Sequence, residues 1–138
     1  MLERERPMPS RPEDLRARTF RFACAIVSFC QSVTEHSWLT RHVAYQLLKS
    51  GTSVGANVEE AKAAYSRREF VAKTAIALKE ARETLYWLRL ISACQLVTVQ
   101  RTKPLASEAD ELVAILTASV KTARSLKATP GYGSTGGS

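Results

Sequence analysis

Arg67, Arg68, Lys79, Arg82 and Arg89 recur along one stretch of the chain. At about 100° per residue on a helical wheel, these side chains fall within about 120° of one another. Such a ridge of positive charge binds phosphate backbones through sequence-independent, salt-sensitive contacts. The same pattern also suits a solvated helix face, with Lys79 partly paired to Glu83 one turn on. The charge of the chain is concentrated here: against a net charge of +7, residues 62–103 carry nine basic and three acidic side chains, residues 1–61 are nearly balanced, and residues 104–120 carry three acidic groups alone. Arg16, Arg18 and Arg21 near one end, and Lys121, Arg124 and Lys127 near the other, are candidates to extend the basic surface.

Other reactive residue types do not converge. His36 and His42 flank a connection, and neither stands three residues after a glutamate, as the inward Glu-x-x-His pairs of a di-iron bundle require. Glu59 and Glu60 are adjacent, so on a helix they point apart, against a paired-carboxylate mechanism. Cys24, Cys30 and Cys94 are odd in number and lack CxxC spacing, so small buried thiols are expected rather than disulfides or zinc ligands. In GTSVG, residues 51–55, the spacing is wrong for a phosphate-binding loop, no lysine follows Gly55, and no strand precedes it. No catalytic residue, metal or cofactor is expected.

The elements that must position these residues are helical throughout. Leu15, Thr19, Phe22, Ile26, Phe29 and Val33 follow the 4, 3 alternation that lines one helix face. A second stripe, from about Thr40 to Ala64, carries Val43, Leu47, Val54, Val58 and Ala61. The third opens on Ser66 and Glu69, a capping box, and continues through Phe70, Thr74, Ala77, Ala81, Leu85 and Leu88. The fourth is expected to start near Pro104 or Ser107, with Leu105, Ala109, Leu112, Leu116, Val120 and Ala123 inward. Short connections make these an all-α, up-down-up-down antiparallel four-helix bundle. The expected division is a flexible N-terminal segment at 1–12, the bundle at 13–127, and a disordered Gly/Ser-rich tail at 128–138. Apolar residues make up 45% of the chain, but no run approaches a membrane span, and the charged, proline-rich start is unlike a signal peptide. A cytoplasmic protein without membrane contact is expected.

Two features of the stripes need a reason. Gly51 and Gly55 share the inner sector of the second helix, where each glycine costs up to about 1 kcal/mol relative to alanine. Close approach of a neighbouring helix is one explanation and a kink at Gly51 the other. Ser50, Ser53 and Asn57 lie beside them, placed to bond to the partner's backbone or to cap a local kink. On the third helix, Ile76, Trp87 and Leu90 occupy a sector distinct from the core stripe. A second apolar side points to an oligomer interface, while base stacking by Tyr86 or Trp87 is the less ordinary use.

SGTSVGANVEEA, followed by EFVAKTAIALKEARETLYWLRL from Glu69 to Leu90, resembles the signature of a bacterial four-helix-bundle family. Its founding members are encoded in intervening sequences within large-subunit (23S) ribosomal RNA genes. The resemblance covers roughly residues 15–127. Members of that family are similar in fold and assembly to the accessory variability determinant of diversity-generating retroelements, a basic homopentameric barrel that associates with a reverse transcriptase and nucleic acid. The resemblance implies a ring-shaped homopentamer and a role near RNA, and supplies no catalytic residues. In its signature this chain departs from the retroelement proteins.

Two functional classes follow. One is a non-enzymatic, RNA-associated binding protein, an RNA chaperone or an accessory of an RNA-acting or reverse-transcribing enzyme. The other is an interaction scaffold whose basic face docks an acidic protein.

Overall fold

The computed structural model describes residues 14–127, so the segments expected at 1–12 and 128–138 lie outside the described residues. Four helices follow in order: α1 (Leu15–Ser32), α2 (Trp38–Lys62), α3 (Arg67–Ala93) and α4 (Val99–Lys127). No strand occurs among the described residues. Ion pairs between ends show the antiparallel run of neighbours. Arg16 at the start of α1 meets Glu59 at the end of α2 at 3.4 Å, and Lys73 near the start of α3 meets Glu60 at 2.7 Å.

Each helix starts and stops for a local chemical reason. The Asp14 carboxylate accepts the Arg16 N–H at 3.2 Å, and the Ser37 hydroxyl accepts the Thr40 N–H at 3.3 Å, satisfying donors that the first turn cannot pair internally. At α3 the Ser66 hydroxyl accepts the Glu69 N–H at 3.0 Å, while the Glu69 carboxylate reaches back to the N–H of Tyr65 at 3.0 Å. This is a capping box displaced by one residue on its return arm. α3 ends in a Schellman turn: Gln95 takes the left-handed conformation at φ 56°, the Leu96 N–H bonds to the Ile91 carbonyl, and the Gln95 N–H bonds to that of Ser92.

α4 begins at Val99, one and a half turns before Pro104, which sits inside the helix. Proline removes one intrahelical hydrogen bond, but the inner stripe already runs upstream of it. Thr102 is buried and continues the spacing of Leu105, Ala109 and Leu112, so packing carries the helix through.

The core has two apolar clusters. The larger gathers Phe22, Ile26, Phe29, Leu47, Leu88 and Leu112 with their neighbours; the smaller holds Val54, Val58, Ala77, Ala81 and Leu116. Between them along the chain stand the buried hydroxyls of Ser50 and Thr84, 2.9 Å apart, each with a carbonyl of its own helix in reach. A buried hydroxyl left without a partner would be destabilising by roughly 1–3 kcal/mol, so this pair ties α2 to α3 in a defined register. Ser53 and Asn57, by contrast, donate to the carbonyls of Lys49 and Ser53 in their own helix. They bond neither to a partner helix's backbone nor at a break, since α2 is continuous.

α1 crosses α2 at the two glycines. A Cβ on Gly51 would stand 2.9 Å from Cγ1 of Ile26, and one on Gly55 would stand 3.2 Å from the carbonyl oxygen of Thr19. The Thr19 hydroxyl turns back to the Leu15 carbonyl at 2.8 Å. Of the helix pairs in contact, α1 and α4 touch least, and polar contacts close that side. Arg18 donates to both carboxylate oxygens of Glu108 at 2.6 and 2.9 Å and to Glu111 at 2.6 Å. These hydrogen bonds, Glu108 first, hold the guanidinium charged well beyond its ordinary range. Arg101 donates to the Ser32 hydroxyl and lies 5.6 Å over the ring of Phe29.

The expectation of three buried thiols is corrected. Cys24 stands on the outer face of α1 between Phe20 and Val27, Cys94 caps α3, and both are exposed. Only Cys30 is half-buried; its thiol donates to the Ala44 carbonyl at 3.4 Å, and burial pushes its pKa up to about 11.

Two outcomes follow. Gly51→Leu should lower unfolding stability by about 1–3 kcal/mol despite its better helix propensity, because Ile26 has nowhere to retreat. In urea titrations the loss should be smaller than additive when combined with Ile26→Ala, and an unchanged midpoint for Gly51→Leu would show that the helices do not meet there. Under native alkylation near pH 8, Cys24 and Cys94 should label first and Cys30 last. The Cys30 rate should keep rising toward pH 11, since the thiolate is the reacting form; equal rates at all three would contradict its burial.

Candidate nucleic-acid interface

The phase of α3 is set by its cap and its inner stripe. With Thr74, Ala77, Ala81, Thr84 and Leu88 buried, the opposite sectors must face outward. Arg67, Arg68, Lys79, Arg82 and Arg89 are all exposed there. From Arg67 to Arg89 the ridge runs about 33 Å at 1.5 Å per residue.

None of these cations forms a hydrogen bond or ion pair with another described residue. Glu83, the sequence-expected partner of Lys79, instead accepts the indole N–H of Trp87 at 3.1 Å. The remaining cation of α3, Lys73, is taken by Glu60, whose hydrogen bond raises the pKa of the ammonium. Glu59 and Glu60 thus serve different helices.

The proposed extensions of the ridge divide. Arg16 pairs with Asp14 and Glu59, and Arg18 with Glu108 and Glu111, so both are engaged in holding α1. The acidic run of α4 that pairs with Arg18 was visible in the sequence, but the pairing depends on how α1 and α4 meet. Lys121 and Arg124 are exposed near the end of α4.

Tyr86 lies within the ridge. Lys79, Arg82, Tyr86 and Arg89 follow one another at 3, 4, 3 spacing and are all exposed. Trp87 is half-buried against the larger core cluster, its ring 5.1 Å from that of Tyr86 in an edge-to-face arrangement. Leu90 is also half-buried, and Ile76 is 37% exposed. More open apolar surface lies elsewhere: Phe20 and Val27 face outward on α1, and Trp38 and Tyr45 on α2, with Phe20 and Trp38 at 69% and 70% exposure. The spacing of Phe20, Cys24 and Val27, opposite the core stripe of α1, was the signal in the sequence for this second face.

His36 is half-buried in the α1–α2 connection and His42 exposed on α2. Among the described residues, no three of His, Cys, Asp and Glu come together in a way that could hold a metal ion. A shallow groove between the start of α3 and the end of α4, lined by Arg67, Phe70, Ile115, Ser119, Thr122 and Leu126, has a mainly apolar surface. It contains no nucleophile with a neighbouring base. No helix among the described residues is long and apolar enough to cross a membrane.

Residues 14–118 match the model of a family described as 23S rRNA-intervening sequence protein. No curated protein matches the chain. A crystal structure of a protein with unknown function from the S23 ribosomal protein family of Bacteroides thetaiotaomicron VPI-5482 is similar at 33% sequence identity, with a TM-score of 0.72. The match covers 78% of this chain and 99% of that one. The family description names no enzymatic activity. With the helices, their order and the family signature in agreement over this span, the chain belongs to the 23S rRNA-intervening sequence protein family.

Proposed function

We propose that the protein is a non-enzymatic, oligomeric nucleic-acid-binding protein that associates with RNA through the outer face of α3, as an RNA chaperone or an accessory of an RNA-acting or reverse-transcribing enzyme. The observation that carries this reading is the division of its cations. Arg16, Arg18 and Lys73 are spent on ion pairs within the bundle, whereas the five cations of the α3 ridge have no partner among the described residues. Unpaired, outward, spaced cations are what a polyphosphate neutralises with release of counterions.

The reading includes assembly as a homopentameric ring, which the family resemblance implies and which would repeat the ridge around its circumference. Exposed apolar side chains support an oligomer, because such surface is unfavourable on a lone bundle. Tyr65, Trp38 and Phe20 are the large apolar side chains with most to gain from cover, and Ile76 with the outer edges of Trp87 and Leu90 rather less.

Charge reversal tests the reading. Arg82→Glu with Arg89→Glu should abolish RNA retention while leaving helicity and unfolding temperature unchanged, on protein whose light-scattering mass is five times that of the chain. Undiminished retention by the folded double variant would remove α3 from the interface and favour a scaffold docked by an acidic protein. A monomeric mass would remove the ring.

A further inference from the structure

The basic face of α3 has one aromatic in its midst. Tyr86 is 56% exposed, one turn from Arg82 on one side and from Arg89 on the other. Side chains at those spacings are neighbours on a helix surface. Its ring is held by an edge-to-face contact with Trp87. Trp87 is in turn fixed by its N–H bond to Glu83 and by packing on the core. A phenol anchored in this way loses little freedom when a second ring stacks on it.

We propose that Tyr86 is a base-stacking platform and that the α3 face takes single-stranded nucleic acid in preference to duplex. The inference rests on reading α3 as a phosphate-binding face and adds the class of nucleic acid. Lys79, Arg82 and Arg89 hold backbone phosphates on either side of Tyr86, which places a base of the intervening nucleotide against the ring. An unpaired base has a free face to offer; in a duplex those faces are already stacked, and the same tyrosine adds nothing. Stacking accepts any base, so the preference is for strandedness rather than sequence. Single-stranded RNA and DNA share this chemistry and are compared directly in the test.

The test is fluorescence polarisation with the full chain and labelled single-stranded RNA, single-stranded DNA and duplexes of the same sequence. Tyr86→Ala should weaken binding to single strands roughly five- to hundredfold and leave duplex binding unchanged. Tyr86→Phe, which keeps the ring, should bind as the unaltered protein does. Circular dichroism of the exposed-site variants reports on folding. If the unaltered protein binds and Tyr86→Ala binds single strands equally well, or loses single strands and duplex alike, the stacking proposal falls while the phosphate-binding reading stands. If the unaltered protein binds none of the probes, both fall.

Discussion

The close crossing of α1 and α2 at Gly51 and Gly55 is the constraint on which the rest of the bundle depends. With no Cβ on either glycine, Ile26 packs onto Gly51 and the Thr19 backbone onto Gly55. Thr19 is then sealed from water, and its hydroxyl must use a carbonyl of its own helix. Drawing α1 onto α2 leaves the α1–α4 side the least packed, and there the Arg18 and Arg101 contacts close the bundle. The Ser50 and Thr84 hydroxyl pair fixes α3 against an adjacent face of α2. Its apolar stripe is therefore turned inward and its cations outward.

This packing sorts the charges. These ion pairs join two helices or cap one: Arg16 to Glu59 and Asp14, Arg18 to Glu108 and Glu111, Lys73 to Glu60. The acidic side chains of α2 and α4 are therefore largely engaged with cations outside the ridge. A basic protein of this size could have distributed its surplus anywhere. Here five of the exposed cations stand along one edge of one helix, in a line about six turns long at 3.6 residues per turn, with an aromatic side chain set among the guanidinium groups.

Much of the fold was legible because period and cap are local properties. The stripes of α1 and α2 are buried as their spacing required, except for half-buried Leu15, and Ser66 starts α3 with Glu69 as its partner. The two glycines pointed to a close approach or a kink, and the continuous α2 with Ile26 and Thr19 against them decides for the approach. What the sequence could not show depended on contacts between helices. Pro104 read as a start signal because the burial of Thr102 upstream of it comes from packing. Cys24 and Cys94 read as core from residue type alone, though one faces away from its own stripe and the other caps a helix. Arg16 and Arg18 read as free surface charge until α2 and α4 supplied their carboxylates. Within α3 the candidate site was readable as a ridge, but the loss of Glu83 to Trp87, and hence the freedom of Lys79, required the rotamers.

The central claim is that the unpartnered cations of α3 bind a phosphate backbone, and the most direct measurement is affinity for single-stranded RNA across a salt series. If all five engage, log affinity should fall linearly with log salt with a slope of about −3.5, from about −0.7 per phosphate neutralised on a single strand. The slope should shrink by about 0.7 for each ridge cation neutralised by substitution. Binding that is insensitive to salt, or no binding at low salt, would contradict the account.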